Sequence, residues 1–290
     1  IVQQLDHASL DEIRTAIVAQ LQTLAEEKGV KINIQEFNGQ NDATVLNQIG
    51  AQVVGDGVDL IIPIATLAAQ CMVTAADGTD IPIVYAAISD PESAGLTRLD
   101  NVTGTSDALN TAFILDMMLA VNPDIKTVGL LYSNSEANST MPIAEAKAYL
   151  QGKNIDIVEK TGNTSGEIVE AAASMVGRVD AVFTPTDNVV MAAEVTVAEI
   201  LNEAGIPHYT GADSFVAAGA FATCGVNYTE LGTYTASMAM DILLGGAVPE
   251  FHVMDGGIIT VNTETAAILG IDYSVFASMA NTVVEVKTGE

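Results

Sequence analysis

The chain predicts an α/β protein of two similar doubly wound parallel-sheet domains joined by a three-strand hinge. Three observations carry this. Short apolar runs alternate with helix-like segments along its length, as β-α repetition requires. The order of elements in the first half recurs in the second. Two apolar runs, Leu60–Ile64 and Ala181–Phe183, each pass through a polar, proline-containing elbow into a helix start, the place where open α/β sheets put ligands.

In order, Ile1 and Val2 open a strand, and the polar loop Gln3–Ser9 leads to a helix over about Leu10–Lys28. Its apolar residues Ile13, Ile17, Leu21 and Leu24 share one face, and Gly29 ends it. A strand over Val30–Phe37 follows, then Asn41 and Asp42 precede a helix from about Ala43 to Val54. After Gly57 come the strand Leu60–Ile64, the first elbow, a helix to about Ala76 and the strand Ile81–Ala86. The plan restarts after Asn122-Pro123 with strand Val128–Tyr132, polar loop Ser133–Thr140, a helix to about Leu150, a break at Gly152 and strand Asp156–Thr161. Specific matches tie the halves: Val-Gly-x-x-Val-Asp at Val54–Asp59 with Val-Gly-x-Val-Asp at Val176–Asp180, then Ile81-Pro82 with Ile206-Pro207 and Ala94-Gly95 with Ala218-Gly219. The expected division is residues 1–104 with 229–257, and 105–228 with 258–290, with the ligand cleft between the lobes. Asn101–Ser106, Gly225–Tyr228 and Ile258–Asn262 are the expected hinge strands, the helix Tyr234–Leu244 returns to the first lobe, and the tail from Thr263 packs on the second.

Composition narrows the function. A chain of 290 residues, 49% hydrophobic, buries a sizeable core. Its net charge of -27, from 37 acidic against 10 basic residues, repels phosphate backbones and anionic headgroups, which argues against nucleic acid and membrane surfaces as partners. The apolar region Val58–Ala76 is interrupted by Asp59, Pro63 and Gln70, so strand, elbow and helix explain it better than a bilayer span. Cys71 and Cys224 lie in separate apolar stretches and read as buried free thiols. The opening directly on strand-like residues reads as a trimmed mature form.

Catalytic and cofactor signatures are missing: no glycine-rich dinucleotide or phosphate loop, no His-Glu-x-x-His, no Cys-x-x-Cys, no Gly-x-Ser-x-Gly. His7, His208 and His252 have no metal-ligand spacing. The expectation is a binding protein with no cofactor, no metal and no enzymatic activity. What remains is a ring of small polar groups at strand ends: Gln4 and His7; Thr66; Ser89 and Asp90; Asn134, Ser135, Asn138 and Ser139; Thr186, Asp187 and Asn188; Asp213. Any one of them alone reads more often as a helix cap or turn residue than as a ligand contact, but six strand-end loops all carrying polar groups point to a site, while Asp42, Asp100, Asp107 and Asp116 read as solvated. The two elbows suggest a zwitterion. The uncharged helix start at Thr66, Leu67 and Ala68 offers backbone N–H groups to a carboxylate, and Asp187 offers charge to an ammonium group. Phe215 and Tyr209 are candidate aromatic walls, while Phe183 and Tyr85 read as core.

The motifs also carry a resemblance. Gln40-Asn41-Asp42, the Pro63–Thr66 elbow with Ala68-Ala69-Gln70, Ser89-Asp90-Pro91, Asn101-Val102-Thr103-Gly104, Glu136-Ala137-Asn138-Ser139, Thr186-Asp187-Asn188 and Gly245-Gly246 resemble, in this order, the tryptophan/tyrosine-type ABC transporter substrate-binding proteins. The resemblance implies a periplasmic-binding-protein-like class I fold and an extracytoplasmic, lipid-anchored, monomeric clamp that hands a solute to ABC permease subunits. It implies a free amino acid as ligand, aromatic in several members, with Thr66 and Ala68 on its carboxylate, Asp187 on its ammonium group, and Asn138, Ser139 and Asn188 assisting. One departure is visible: the family's Gly-Thr-Pro-Ala elbow is Ala65-Thr66-Leu67-Ala68 here. The alternative reading is a ligand-sensing domain, or a binder of another small polar solute such as a branched-chain amino acid, sugar, nucleoside or short peptide.

Overall fold

The computed structural model describes residues 1–289, which divide into two compact units, residues 1–108 with 227–254 and residues 109–226 with the described residues from 255 onward. The chain passes from one to the other after residues 108, 226 and 254. In chain order the elements are β1 (Val2–Gln3), α1 (Ala8–Lys28), β2 (Phe37–Asn38), α2 (Ala43–Gly55), β3 (Pro63–Ile64), α3 (Thr66–Ala75), β4 (Ile83–Tyr85), β5 (Val102–Ser106) and α4 (Thr111–Val121). Next are β6 (Thr127–Tyr132), α5 (Thr140–Gly152), β7 (Asp156–Thr161), α6 (Ser165–Ala173), β8 (Ala181–Thr184), α7 (Asn188–Met191), α8 (Glu194–Glu203), β9 (His208–Thr210) and α9 (Asp213–Ala217). The chain closes with β10 (Ala222–Gly225), α10 (Tyr228–Leu243), β11 (His252–Val253), β12 (Ile258–Asn262), α11 (Thr263–Leu269) and β13 (Thr282–Val286).

In the first unit the parallel order β2-β1-β3 is joined to β11-β5-β4 through single bridges, Ile61 to Ile83 and Ile64 to Ala86. Its core is built from Val2, Leu46, Ile49, Ile61, Met72, Ile83 and Tyr85, residues that recur every second position on strands and every third or fourth on helices. α10 lies against α1 at Gly232, where an added Cβ would stand 2.7 Å from both Ile13 O and Ala16 Cβ. Only glycine lets two helix backbones approach so closely.

The second unit is one seven-stranded sheet, β13-β12-β10-β9-β8-β6-β7, parallel except between β10 and β12. Leu130, Phe183, Tyr209, Phe221, Val261 and Phe276 are part of its core, and the tail contributes Phe276. Tyr209 meets Phe221 edge-on with ring centroids 5.3 Å apart.

Four expectations need correction. The expected strand Val30–Phe37 pairs only at Phe37–Asn38, because the backbone beside residues 30–35 has no strand to bond. Ile258–Asn262 is not a connecting segment but a ladder strand of the second sheet, paired with β10 and β13. The helix expected from Tyr234 begins at Tyr228, where the Asn227 side chain accepts from Glu230 N. Tyr209, a candidate wall, is core. Both cysteines are free and buried, as expected.

Candidate functional site: two polar elbows

In the first unit the elbow is built where β3 hands over to α3. The N-cap of α3, Ala65, is buried at φ 74, ψ 164, a region that costs a residue with a Cβ about 1–3 kcal/mol. Its surroundings hold it there: Ala65 N donates to Ala86 O at 3.1 Å and Ala65 O accepts from Ala69 N at 3.0 Å. Gln4, just past β1, accepts from Leu67 N at 3.0 Å through Oε1 and donates through Nε2 to Asn41 Oδ1 at 2.8 Å. One of the three amides expected to be open is therefore taken. Those of Thr66 and Ala68 have no hydrogen-bond acceptor among the described residues. Two buried donors at the start of a ten-residue helix, with the helix dipole behind them, form a site for an anionic oxygen.

Around this elbow, His7 is the N-cap position of α1 but its side chain makes no capping bond. Ser89 Oγ donates to Asp107 Oδ1 at 3.0 Å, and Asp90 accepts from Ser93 N at 3.0 Å, a turn contact. Asp107 corrects the sequence reading: it is buried, accepts also from Tyr228 Oη at 3.1 Å, and burial raises its pKa against these two bonds. Asp42, read as solvated, caps α2 through Thr44 N and Val45 N.

In the second unit, Asn138, Ser139, Thr186, Asp187 and Asn188 come together. Asp187 is fully buried. Oδ1 accepts from Val189 N at 3.1 Å and Val190 N at 3.0 Å, and Oδ2 from Ser133 N and Ser139 Oγ, both at 2.7 Å. Four donors fill the lone-pair directions of a carboxylate. Asp187 is thus placed as the cap that locks the elbow. Asn138 Nδ2 donates to Thr186 O at 2.6 Å, and Asn188 Nδ2 to Glu136 Oε2 at 2.7 Å.

Glu136 is the residue that sequence reasoning passed over. Buried beside Asp187, it has its pKa pushed up to about 7 by desolvation first and by the like charge of Asp187 second. Burial also raises Asp187, against the bonds that favour its charge. The signal is slight: one Glu two residues before Asn138, in the polar loop Ser133–Thr140, whose neighbours are the candidates while Glu136 itself enters only within a motif. Asn134 turns away, donating to Thr161 Oγ1 at 3.0 Å. Asp213 is half-buried in the first turn of α9, and Phe215 is buried two residues on.

Behind the elbow, Thr184 Oγ1 lies 2.8 Å from His208 Nε2, and His208 Nδ1 lies 2.9 Å from Glu194 Oε1. A hydrolase could use groups in this order, but all three are wholly buried, so the chain is a strut that fixes the end of β8. No cluster of His, Cys, Asp or Glu among the described residues has the makings of a metal site, and none of their helices is long and apolar enough to cross a membrane.

Residues 1–283 match the family described as ABC transporter substrate binding protein. A tyrosine-binding protein of Clostridioides difficile is 34% identical over 272 residues, covering 91% of this chain and 78% of that one. Among solved structures, the ABC domain in complex with L-Trp from Streptococcus pneumonia superposes with a TM-score of 0.89 at 30% identity, covering 98% of this chain and 99% of that one. A ligand-free, open substrate-binding protein with adhesive properties from Clostridium difficile gives 0.71 at 33% identity, covering 99% and 98%. By a match that runs almost end to end, the chain belongs to the ABC transporter substrate binding protein family.

Proposed function

We propose that this chain is the extracytoplasmic receptor of an ABC importer, a monomer that binds a free aromatic amino acid and passes it unchanged to the permease. The observation that carries the reading is the pair of open amides of Thr66 and Ala68 in an uncharged, buried elbow, where a carboxylate is the fitting acceptor. The second unit supplies the opposite sign. An ammonium group brought to Glu136 and Asp187 would draw Glu136 back to its charged form, with Asn138 and Asn188 holding its position. Each unit then contributes half of the recognition, and a ligand that needs both halves favours the closed state. The tyrosine-binding relative and the relative bound to L-Trp support an aromatic side chain.

A thermal-shift screen of the twenty L-amino acids, glucose, ribose and adenosine tests this. Phenylalanine, tyrosine or tryptophan at about 100 times Kd should raise Tm by about 5 °C or more. A response confined to the sugars or the nucleoside would overturn the assignment.

A further inference from the structure

Three consecutive amides open the elbow helix α3, and only the outer two are free. Thr66 N and Ala68 N have no acceptor among the described residues, whereas Leu67 N between them donates to Gln4 Oε1 at 3.0 Å. Three bare amides at a helix N-terminus suit an anion with three oxygens on a tetrahedral centre, as phosphate sites do. Two suit the pair of oxygens of a planar carboxylate. The middle amide therefore bears on which anion the elbow accepts, and Gln4 holds the middle amide.

Gln4 is fully buried and its backbone is tied on both sides: Gln4 N donates to Ile64 O at 3.2 Å, and Gln4 O accepts from Asn41 N at 2.8 Å. The orientation of its side-chain amide follows from its neighbour. Leu67 N can only donate, so the atom facing it is the carbonyl oxygen, and the amide nitrogen faces Asn41 Oδ1 at 2.8 Å. Asn41 in turn sits in a strained turn. Gln40 and Asn41 are both left-handed, at φ 53 and φ 55, a region that residues with a Cβ enter at a cost. Asn38 Oδ1 accepts from Gln40 N at 2.7 Å, Gly39 O accepts from Asp42 N at 2.9 Å, and Asp42 caps α2, so the turn is fixed from both sides. A chain of bonds thus runs from the start of α2 through Asn41 and Gln4 to the mouth of α3.

We propose that Gln4 is a positioning residue that determines specificity: by holding the Leu67 amide it confines the bound anion to the Thr66 and Ala68 amides and so selects a planar carboxylate over a tetrahedral oxyanion, resting on the carboxylate role proposed above for these two amides. The oxygen of Gln4 stands where a third anionic oxygen would have to bond. That oxygen would meet an acceptor instead of a donor, and a buried oxygen left unpaired beside another is costly. A carboxylate bonded to the two outer amides leaves the place to Gln4. The preference is thus built by opposing the wrong group as well as by fitting the right one.

Two measurements test this. In the ligand-free chain, the Leu67 amide should be protected from hydrogen exchange at least about tenfold more than those of Thr66 and Ala68. Calorimetry then compares L-tyrosine with its phosphonate analogue on the unaltered chain, Gln4→Met and Gln4→Glu. The unaltered chain should prefer the carboxylate at least about 100-fold. Gln4→Met frees the Leu67 amide at similar side-chain length and should narrow that preference at least about tenfold, a ratio that a loss of stability alone does not move. Gln4→Glu keeps an acceptor for Leu67 N and adds negative charge, so both compounds should bind more weakly and the preference should not fall. A Leu67 amide that exchanges as fast as its neighbours would overturn the proposal. So would an unchanged preference in Gln4→Met, or the same narrowing in both variants. Failure of the unaltered chain to bind L-tyrosine would overturn the amino-acid reading itself, and this role with it.

Discussion

Glu136 and Ala65 show what single residues contribute to the two elbows. Glu136 titrates near 7 in the folded chain against an ordinary 4.5, so the folded state holds its proton more tightly than the unfolded chain. The stability this gives is complete below about pH 4.5 and is lost as the pH rises to about 7. Urea melts across this window should show the stability of the native chain falling relative to Glu136→Gln by up to about 3 kcal/mol. Parallel pH profiles would refute the assignment. At Ala65 the strain sits on a side chain of one methyl group at φ 74, ψ 164. Ala65→Gly removes it and should raise the denaturant midpoint by the equivalent of about 1 kcal/mol. The sequence reading places the departure from the family elbow at Leu67, and nothing in the residues themselves gives the dihedral angles of Ala65.

At the scale of elements, each elbow is a strand end, a cap and a helix start that depend on one another. Asp187 joins Ser133, Ser139 and the first turn of α7. Asp187→Asn turns one acceptor into a donor facing other donors, which should cost about 2 kcal/mol in an unfolding melt and weaken amino-acid binding at least about tenfold. Gly232→Val should unseat α10 from α1 and cost about 3 kcal/mol, measured the same way, because the clash is with backbone as well as Ala16. Helices and buried strands were legible because their periods of 3.6 and 2 are written in the residues: Asp156–Thr161 is as expected, and α2 ends one residue later. Strand pairing was not legible in this way. Val30–Phe37 has the pattern of a strand, but a ladder needs a partner that local pattern does not reveal.

For the whole molecule, the recurrence of one plan in two halves was the strongest signal, and it belongs to the chain's order rather than to any motif. The same contrast located both elbows. That Asp187 and Glu136 are buried side by side was not legible, because their burial and hydrogen-bond partners are set only by tertiary structure. In the function proposed for this chain, a zwitterion is held at both of its ends. Titration calorimetry with L-tyrosine, tyramine and N-acetyl-L-tyrosine tests this most directly, since tyramine has no carboxylate for the Thr66 and Ala68 amides and the acetylated compound has no ammonium group for the Glu136 and Asp187 pair. Each analogue should bind at least about 100-fold more weakly than the amino acid. Binding of either analogue as tight as that of L-tyrosine would contradict it.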